Sequence, residues 1–468
     1  MDEEDEEGGN MAVLGRHAVV IGGSMSGLMA ARVLTDHFST VTVLDRDSLP
    51  DGPCSRRGVP HAEHGHALLL GGKRKLEELF PGIGAELLSG GAVPFDPGLD
   101  LLMHQMGAMR QRFRSGDQGL SLTRALLEDT VRTRVAALPT VGIRDRTAVC
   151  GLTGTSGRVT GVELEGGGTL SADFVVNASG RGGAGADNWL RTLGYPAPET
   201  DVVKVDVGYT TRLFHRRPGE RLVGEGLLHL MAGANGDKRA AAVFAVEGDR
   251  WMVTLGGWHR AHAPTDPAGF SEFAAGLPSQ AVRDIVHRAR PIDDGEAKKF
   301  TFPAARRRRF ERLRVLPSGF VAVGDALCSF NPLYGQGMTV AALEAVALGR
   351  ALGLAGGTSS AMARSYYSSA AGIIDAPWQM AVGGDFSHPQ TTGPKPRGTK
   401  LLNWYTGRVL LASHVSVPVN RVLMDVQQLL APPTAVLRPT TAVRTLFAAR
   451  RSPALGTAHP RRKATLHV

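Results

Sequence analysis

Residues Val19 to Leu34, VVIGGSMSGLMAARVL, constrain this chain more than any other stretch, because an apolar strand, a glycine turn and an Ala-rich helix follow one another directly. Glycine in the turn lets backbone N–H groups approach a ligand that a Cβ would repel. The helix, read as starting after Gly27, offers unpaired N–H donors and the positive end of its dipole. Such a turn holds the pyrophosphate of a dinucleotide. Gly22 and Gly27 fill the outer positions of a G-x-G-x-x-G pattern, and Ser24 stands in the middle one, small enough to permit close approach. A second apolar strand, Val41 to Leu44, ends at Asp45, where a carboxylate is placed to hold a ribose hydroxyl. The turn alone would suit any α/β protein; strand, helix and terminal acid together specify the dinucleotide.

A chain of 468 residues is too long for one ordinary core, so two or three substructures are expected. Its 43% hydrophobic and 21% charged residues are ordinary for a globular protein. Three scattered cysteines, Cys54, Cys150 and Cys328, give neither a disulfide framework nor metal-ligand spacing. A reducing, cytoplasmic setting and no metal are therefore expected. Residues 1–10 read as an acidic disordered tail, with no export signal. The longest uncharged candidate span, near Val409 to Asn420, is broken by His414 and Pro418, so no stable membrane insertion is expected. The net charge of +9 invites a nucleic-acid partner. Yet the arginines are dispersed, the run Arg306 to Arg309 leads into Phe310 and Glu311, and no zinc-finger, helix-turn-helix or RNP pattern appears; a solvated Arg-rich surface and no nucleic acid are expected.

The segment Arg56 to Leu70, RRGVPHAEHGHALLL, should run extended before turning helical, since Pro60 disfavours helix at Val59. His64 and His66 lack a third ligand nearby, which favours a structural or cofactor-packing role over a metal. Ser121 to Val135 has helical spacing, with Ser121 a possible cap and Arg124 an exposed helix charge on the plainest reading. Thr147 to Leu152, Arg158 to Leu164 and Asp173 to Asn177 read as a small antiparallel unit running into the turn Ala178-Ser179-Gly180. Between Asn188 and Lys299, alternation in AAVFAV and WMVTLGGW and many aromatic residues suggest a broad antiparallel sheet walling an apolar pocket.

A second decisive segment is Gly319 to Leu348, GFVAVGDALCSFNPLYGQGMTVAALEAVAL. A buried strand ends in Gly324 and Asp325, and Gly-Gln-Gly then opens a long Ala-rich helix. Asp325 can hold a ribityl or ribose hydroxyl, while the free N–H groups near Gly337 and Met338 can hold developing negative charge. Reduced flavin carries such charge at N1 and O2.

The order of the glycine turn, Asp45, RRGVP, Arg124, ASGR and GD…NPLYGQGM resembles the single-component FAD-dependent monooxygenases related to para-hydroxybenzoate hydroxylase and squalene epoxidase. RRGVPxxxHxH, the stretch RRRRFERL to FNPLYGQGM, and DFSHPQTTGPKPRGTKLLNWYTGRV look more narrowly like actinobacterial polyketide-tailoring flavoproteins, polyether epoxidases among them. Two departures stand out: Ser24 replaces a glycine, and ASGR stands where many relatives carry a DG pair.

The resemblance implies an α/β, glutathione-reductase-type, Rossmann-like FAD fold. Its FAD domain would be split into 11–187 and 300–375, with an inserted β-rich substrate domain at 188–299 and a C-terminal helical segment at 376–468. It places Gly22, Gly23, Ser24, Met25 and Gly27 around the pyrophosphate, and Asp45 and Arg46 at the adenosine ribose, with Val149 and Cys150 near adenine. Arg56, Arg57 and Gly58 would lie along the cofactor, His64 and His66 near the flavin, and Arg124 beside the ribityl or phosphate. Ser179, Gly180, Gly324, Asp325, Pro332, Gly335, Gln336, Gly337 and Met338 would complete the flavin site. The implied chemistry is capture of O2 as a flavin C4a-hydroperoxide and oxygen transfer to an apolar, electron-rich substrate, most simply an alkene in secondary metabolism such as antibiotic biosynthesis. With one dinucleotide fingerprint, NADPH or NADH would visit transiently, or a separate flavin reductase would deliver electrons. No obligatory catalytic side chain follows; His66 is the one candidate. An aromatic hydroxylase, a non-oxygenating reductase or dehydrogenase of a lipid-like substrate, and a non-catalytic flavin binder share these motifs. The WxWxIP signature of flavin halogenases is absent from the sequence.

Overall fold

The computed structural model describes residues 13–182, 184–233, 236–293 and 295–455; the proposed acidic tail lies outside them. A five-stranded parallel sheet is ordered Phe320–Ala322, Phe174–Asn177, Gly15–Ile21, Phe38–Leu44, Val141–Arg144. Pairings such as Ile21 with both Leu44 and Asn177, and Asn177 with Ala322, bring the carboxyl ends of the strands to one edge. The central strand feeds first to one side and later to the other. Such a reversal opens a crevice at the carboxyl edge, where ligands of open α/β sheets bind. The strands read as near-continuous apolar runs because helices cover them. Helices Met25–Leu34 and Gly337–Ala355 share one large core with the sheet.

Gly337–Ala355 bears on the expectation of no stable membrane insertion. Its 19 residues have a mean hydropathy of 1.5, enough to cross a membrane by length and composition, although it carries Glu344 and Arg350 and so is not an uncharged span like Val409 to Asn420. Half of it is buried, and it packs against helices Met25–Leu34, Leu70–Leu79 and Ser360–Asp385, so its apolarity is that of a core helix.

An eight-stranded sheet forms the second layer, ordered Cys328–Ser329, Lys298–Arg308, Thr200–His215, Arg250–Gly257, Arg239–Val246, Leu228–Ala232, Leu101–Gln105, Ala108–Met109. It therefore reaches beyond 188–299 at both ends, because the edge strands come from inside the first FAD segment and from the return to the parallel sheet. The three-stranded unit is Val149–Gly154, Val159–Leu164 and Thr169–Ser171. Phe174–Asn177, assigned to that unit from sequence, instead joins the parallel sheet, since four fully buried residues suit a covered strand and not a half-exposed hairpin. Toward the end of the chain, helix Ser360–Asp385 runs through the expected boundary at 375/376 with Pro377 inside it. The separate helical unit begins later, with Thr399–Ser413, Val417–Gln427 and Pro439–Ala449 around a small core of their own.

The arginine run is not a solvated surface. Arg307 and Arg308 are buried, pairing with Asp375 at 2.6 Å and Asp187 at 3.4 Å, and Arg309 pairs with Asp201. Those acids are distant in sequence, which is why the local pattern did not reveal them.

Candidate functional site

The glycine turn is built by contacts within the chain. Gly22 adopts φ +106, and a Cβ there would lie 2.5 Å from the Ala178 carbonyl oxygen. A Cβ on Gly27 would lie 1.8 Å from the Gly22 oxygen. The helix starts at Met25, three residues before the sequence-based position; Gly27 sits inside it, where its missing side chain lets helix and strand close up. Ser24 is the N-cap residue but makes no side-chain capping bond, and no acid occupies the first turn. The helix end is left open toward the crevice.

Ser24 does more than remain small. Its Oγ donates to Glu128 Oε2 at 2.7 Å and accepts from Arg124 Nη2 at 2.9 Å. Glu128 also binds Arg124 at 2.8 Å and Arg56 Nε at 3.0 Å, and Arg56 Nη1 reaches Asp45 and Asp47, each at 3.0 Å. Burial alone would lower the Arg56 pKa, but Glu128 and Asp45 outweigh it and hold the group fully charged. Asp45 Oδ2 accepts from the Gly23 N–H at 2.7 Å. The acid at the end of the second strand is thus buried and locked to the turn it faces. Arg46 and Arg57 are exposed, and Met25 points into the core, so any ligand contact at position 25 comes from its backbone. Gly58 donates to Asp47 at 2.5 Å. Val149 and Cys150 lie beyond the fifth strand, beside the Asp45 side of the crevice, where Thr147 N–H donates to the Asp45 carbonyl at 2.7 Å.

Helix Arg124–Ala136 is capped by Thr123, whose side chain accepts from Leu126 N–H; Ser121 belongs to the preceding strand. Arg124 is 4% exposed, not the surface charge of the plain reading. Two of its guanidinium nitrogens, Nε and Nη1, have no partner among the described residues. A buried donor left unpaired costs about 1–3 kcal/mol, so the site suits an acceptor-rich ligand at this point.

The far end of the crevice is formed by Asp325, three strand positions from Asp45 along the sheet order, a span of about 14 Å. Burial raises the Asp325 pKa, opposed by Arg181 and Arg124. Arg181 lies 3.9 Å from the Phe302 ring centroid and donates to the Ala304 carbonyl at 2.9 Å. Ser179 Oγ donates to Asn177 at 2.6 Å, and Gly180 adopts φ +72 with open space where a Cβ would stand. In the turn after Pro332–Tyr334, Gly335 has φ +66, while Gly337 has no such φ and also faces open space. Helix Gly337–Ala355 has no side-chain cap and no acid in its first turn, and Gln336 Oε1 and Thr339 Oγ1 are buried without partners. Met338 is partly buried against the core.

The eight-stranded sheet closes the crevice. Gly65 lies flat on it, since a Cβ there would meet the Phe244 ring at 2.5 Å. His64 Nδ1 bonds Thr211 Oγ1 at 2.8 Å and packs edge-on to Tyr209 at 4.7 Å; His66 Nδ1 bonds the His64 carbonyl at 2.9 Å. His61, which sequence reading missed, lies 5.4 Å from the His66 ring and 5.8 Å from Phe300. Burial pushes all three histidines down to about 3, with neighbouring positive groups adding to it. They are neutral at pH 7. No cluster of metal-ligating side chains occurs among the described residues.

No family model matches the chain. Over 402 residues it is 33% identical to Protein Rv3254 of Mycobacterium tuberculosis (strain ATCC 25618 / H37Rv), covering 81% of this chain and 82% of that protein. The chain belongs to the family of Protein Rv3254. Among solved structures it is similar to pqsL, a probable FAD-dependent monooxygenase from Pseudomonas aeruginosa, with a TM-score of 0.61 and 17% identity over 80% of this chain and 97% of that one. A flavoprotein/dehydrogenase from Cytophaga hutchinsonii matches with a TM-score of 0.64 and 14% identity over 93% and 98% of the two chains. The 2-methyl-3-hydroxypyridine-5-carboxylic acid oxygenase matches with a TM-score of 0.58 and 20% identity over 80% and 91%. The Rv3254-family chain therefore has the fold on which FAD-dependent monooxygenases are built.

Two buried acids of this Rv3254-family member support the turns of the site from behind. Asp385 Oδ1 accepts from Trp258 Nε1 at 2.8 Å, Asn331 Nδ2 at 2.7 Å and Tyr334 OH at 3.3 Å, tying the Asn331–Tyr334 turn to the second sheet. Burial raises it to about 6 against those three donors. Glu344 Oε2 accepts from Gly324 N–H at 2.6 Å and fixes the turn that presents Asp325. Burial pushes Glu344 up to about 8, opposed by that bond and reinforced by Asp325. A carboxyl whose folded pKa is raised favours the fold fully below its unfolded value of 4.5, and the contribution is lost as pH rises toward 8. Glu344→Gln keeps an acceptor and cannot ionise. Its stability relative to wild type should therefore improve progressively between those two pH values, by on the order of a few kcal/mol. Thermal unfolding across that range checks this; a difference independent of pH would mean the acid is not held neutral.

Proposed function

We propose that this chain is an FAD-dependent monooxygenase that transfers one oxygen atom from O2 to an apolar, electron-rich substrate, with alkene epoxidation the favoured reaction. The observation that carries the reading is the crevice itself: Asp45 and Asp325 at opposite ends, Arg124 with unpaired nitrogens between them, and two uncapped helix ends and open glycines facing in. These residues fit FAD. Asp45 and the first helix end suit the adenosine ribose and pyrophosphate, Arg124 a phosphate or ribityl oxygen, and Asp325 and the Gly335–Met338 turn the ribityl chain and flavin ring.

Bound flavin would supply electron transfer to O2 and the electrophilic oxygen, so that alkene, O2 and NAD(P)H with a proton give epoxide, water and NAD(P)+. This chain's own residues would position and dehydrate the reaction. Tyr209, Phe300 and the three neutral histidines make an apolar wall without a ready proton acceptor, since imidazoles held near 3 are weak bases. That favours epoxidation, which needs no base, over hydroxylation of a phenol, and it argues against His66 as a general base. The motifs resembling polyether epoxidases point to a polyketide-type substrate. A single glycine-turn fingerprint supports transient NADPH or NADH, or a separate reductase, and the cysteine usage supports a cytoplasmic setting.

Oxygen reactivity tests the class. Protein reduced anaerobically should be reoxidised promptly by O2, releasing hydrogen peroxide without substrate and less of it with a productive alkene. Reduced protein that persists in air yet passes electrons readily to a quinone would be a dehydrogenase. Faster substrate-dependent turnover with phenols than with alkenes would favour the aromatic hydroxylase.

A further inference from the structure

We propose that the C-terminal helical unit docks this protein peripherally on an anionic lipid bilayer. Helix Pro439–Ala449 is turned inside out for a soluble bundle. It buries Thr441, Thr445 and Ala449 and leaves Val443, Leu446 and Phe447 exposed by 55%, 45% and 65%. On Thr399–Ser413, which packs against it, Leu401 and Trp404 are exposed by 70% and 52%. A solvated helix normally presents its polar face outward, so the reversed helix Pro439–Ala449, with exposed Leu401 and Trp404 on the helix packed against it, marks a surface built for an apolar contact.

Charge selects the occupant. From residue 399 to 455 the chain has seven lysines and arginines and one acid, Asp425, so this unit holds most of the excess positive charge of a +9 protein. Among the described residues none of the seven forms an ion pair with a carboxylate, whereas the buried Arg56, Arg124, Arg307 and Arg308 elsewhere in the chain each pair with an acid. Arg408 lies 5.7 Å from the Trp404 ring centroid, and Arg444 and Arg450 flank Phe447 along its helix. Apolar and aromatic side chains bordered by uncompensated basic groups match the boundary between acyl chains and anionic headgroups. A second copy of the same surface would oppose like charges. The contact is peripheral: it involves exposed side chains of short helices and no spanning segment.

Co-sedimentation of the full-length protein with vesicles of phosphatidylcholine alone, or mixed with phosphatidylglycerol, tests the proposal, with Trp404 fluorescence as a second readout. Binding is expected to the mixed vesicles only, with a blue shift of emission and weakening at high salt. Trp404→Ser combined with Phe447→Ser should lower the partition coefficient by at least about tenfold while leaving thermal stability unchanged. Arg444→Glu combined with Arg450→Glu should abolish the preference for phosphatidylglycerol. Absence of binding to mixed vesicles would overturn the proposal. So would a concentration-dependent dimer in sedimentation that the Trp404 and Phe447 changes dissolve, which would assign the surface to a second copy.

Discussion

Gly27→Val is expected to produce a protein that neither holds FAD nor reaches wild-type stability. The added Cβ would stand 1.8 Å from the Gly22 carbonyl oxygen and 3.0 Å from its carbon, both backbone atoms. Relief requires the helix Met25–Leu34 to move off the central strand. That would separate Leu28, Met29 and Leu34, fully buried, from the core. Loss of this packing should exceed about 4 kcal/mol, the range reserved for severe core disruption. Chemical denaturation should show a sharply lowered midpoint or an insoluble product. A variant with wild-type stability and flavin content would mean that the turn is placed differently.

Arg124→Met should spare more of the fold and strike the ligand. Arg124 contributes one ion pair to Glu128, which keeps Arg56 and Ser24, so the network at the Asp45 end stays largely closed. Removing the guanidinium takes away donors that have no other partner, and a charge-assisted hydrogen bond contributes about 1.5–3 kcal/mol. FAD affinity should fall roughly ten- to a hundredfold in a fluorescence titration. Asp325→Ala should act similarly with little loss of stability, because burial of that acid outweighs what Arg181, Arg124 and Ser329 return to it. Asp45→Ala should lower both affinity and stability, since the carboxylate also accepts from Gly23 and Arg56. Unchanged affinity in both Arg124→Met and Asp325→Ala would remove the ligand from this crevice.

The parts of the site legible in the sequence were those made by local chemistry. The glycine turn, the acid ending the second strand and the Gly-Asp turn before a long helix each lie within a few consecutive residues, where strand and helix periods and glycine positions can be read directly. The long-range partners were not legible. Glu128 looks like any helix acid, yet it gathers Ser24, Arg56 and Arg124; its position four residues after Arg124 was the one available signal. Arg307 and Arg308 read as surface charge because the acids that pair with them arrive from other segments. Gly335 and Gly337 differ within one turn in a way the sequence does not show: the left-handed residue is Gly335, whereas a Cβ at 337 would meet nothing within 4 Å.

That last difference supplies the measurement that tests the central claim. FAD and FMN titrations of wild type and Gly337→Val, with thermal unfolding of each apoprotein, separate a ligand cradle from a structural turn. The proposal requires wild type to bind FAD in preference to FMN, and Gly337→Val to unfold at the wild-type temperature while binding FAD at least about tenfold more weakly, because its side chain occupies only the space the flavin needs. Wild-type protein that takes up no flavin, or a Gly337→Val variant that binds FAD as wild type does, would contradict it.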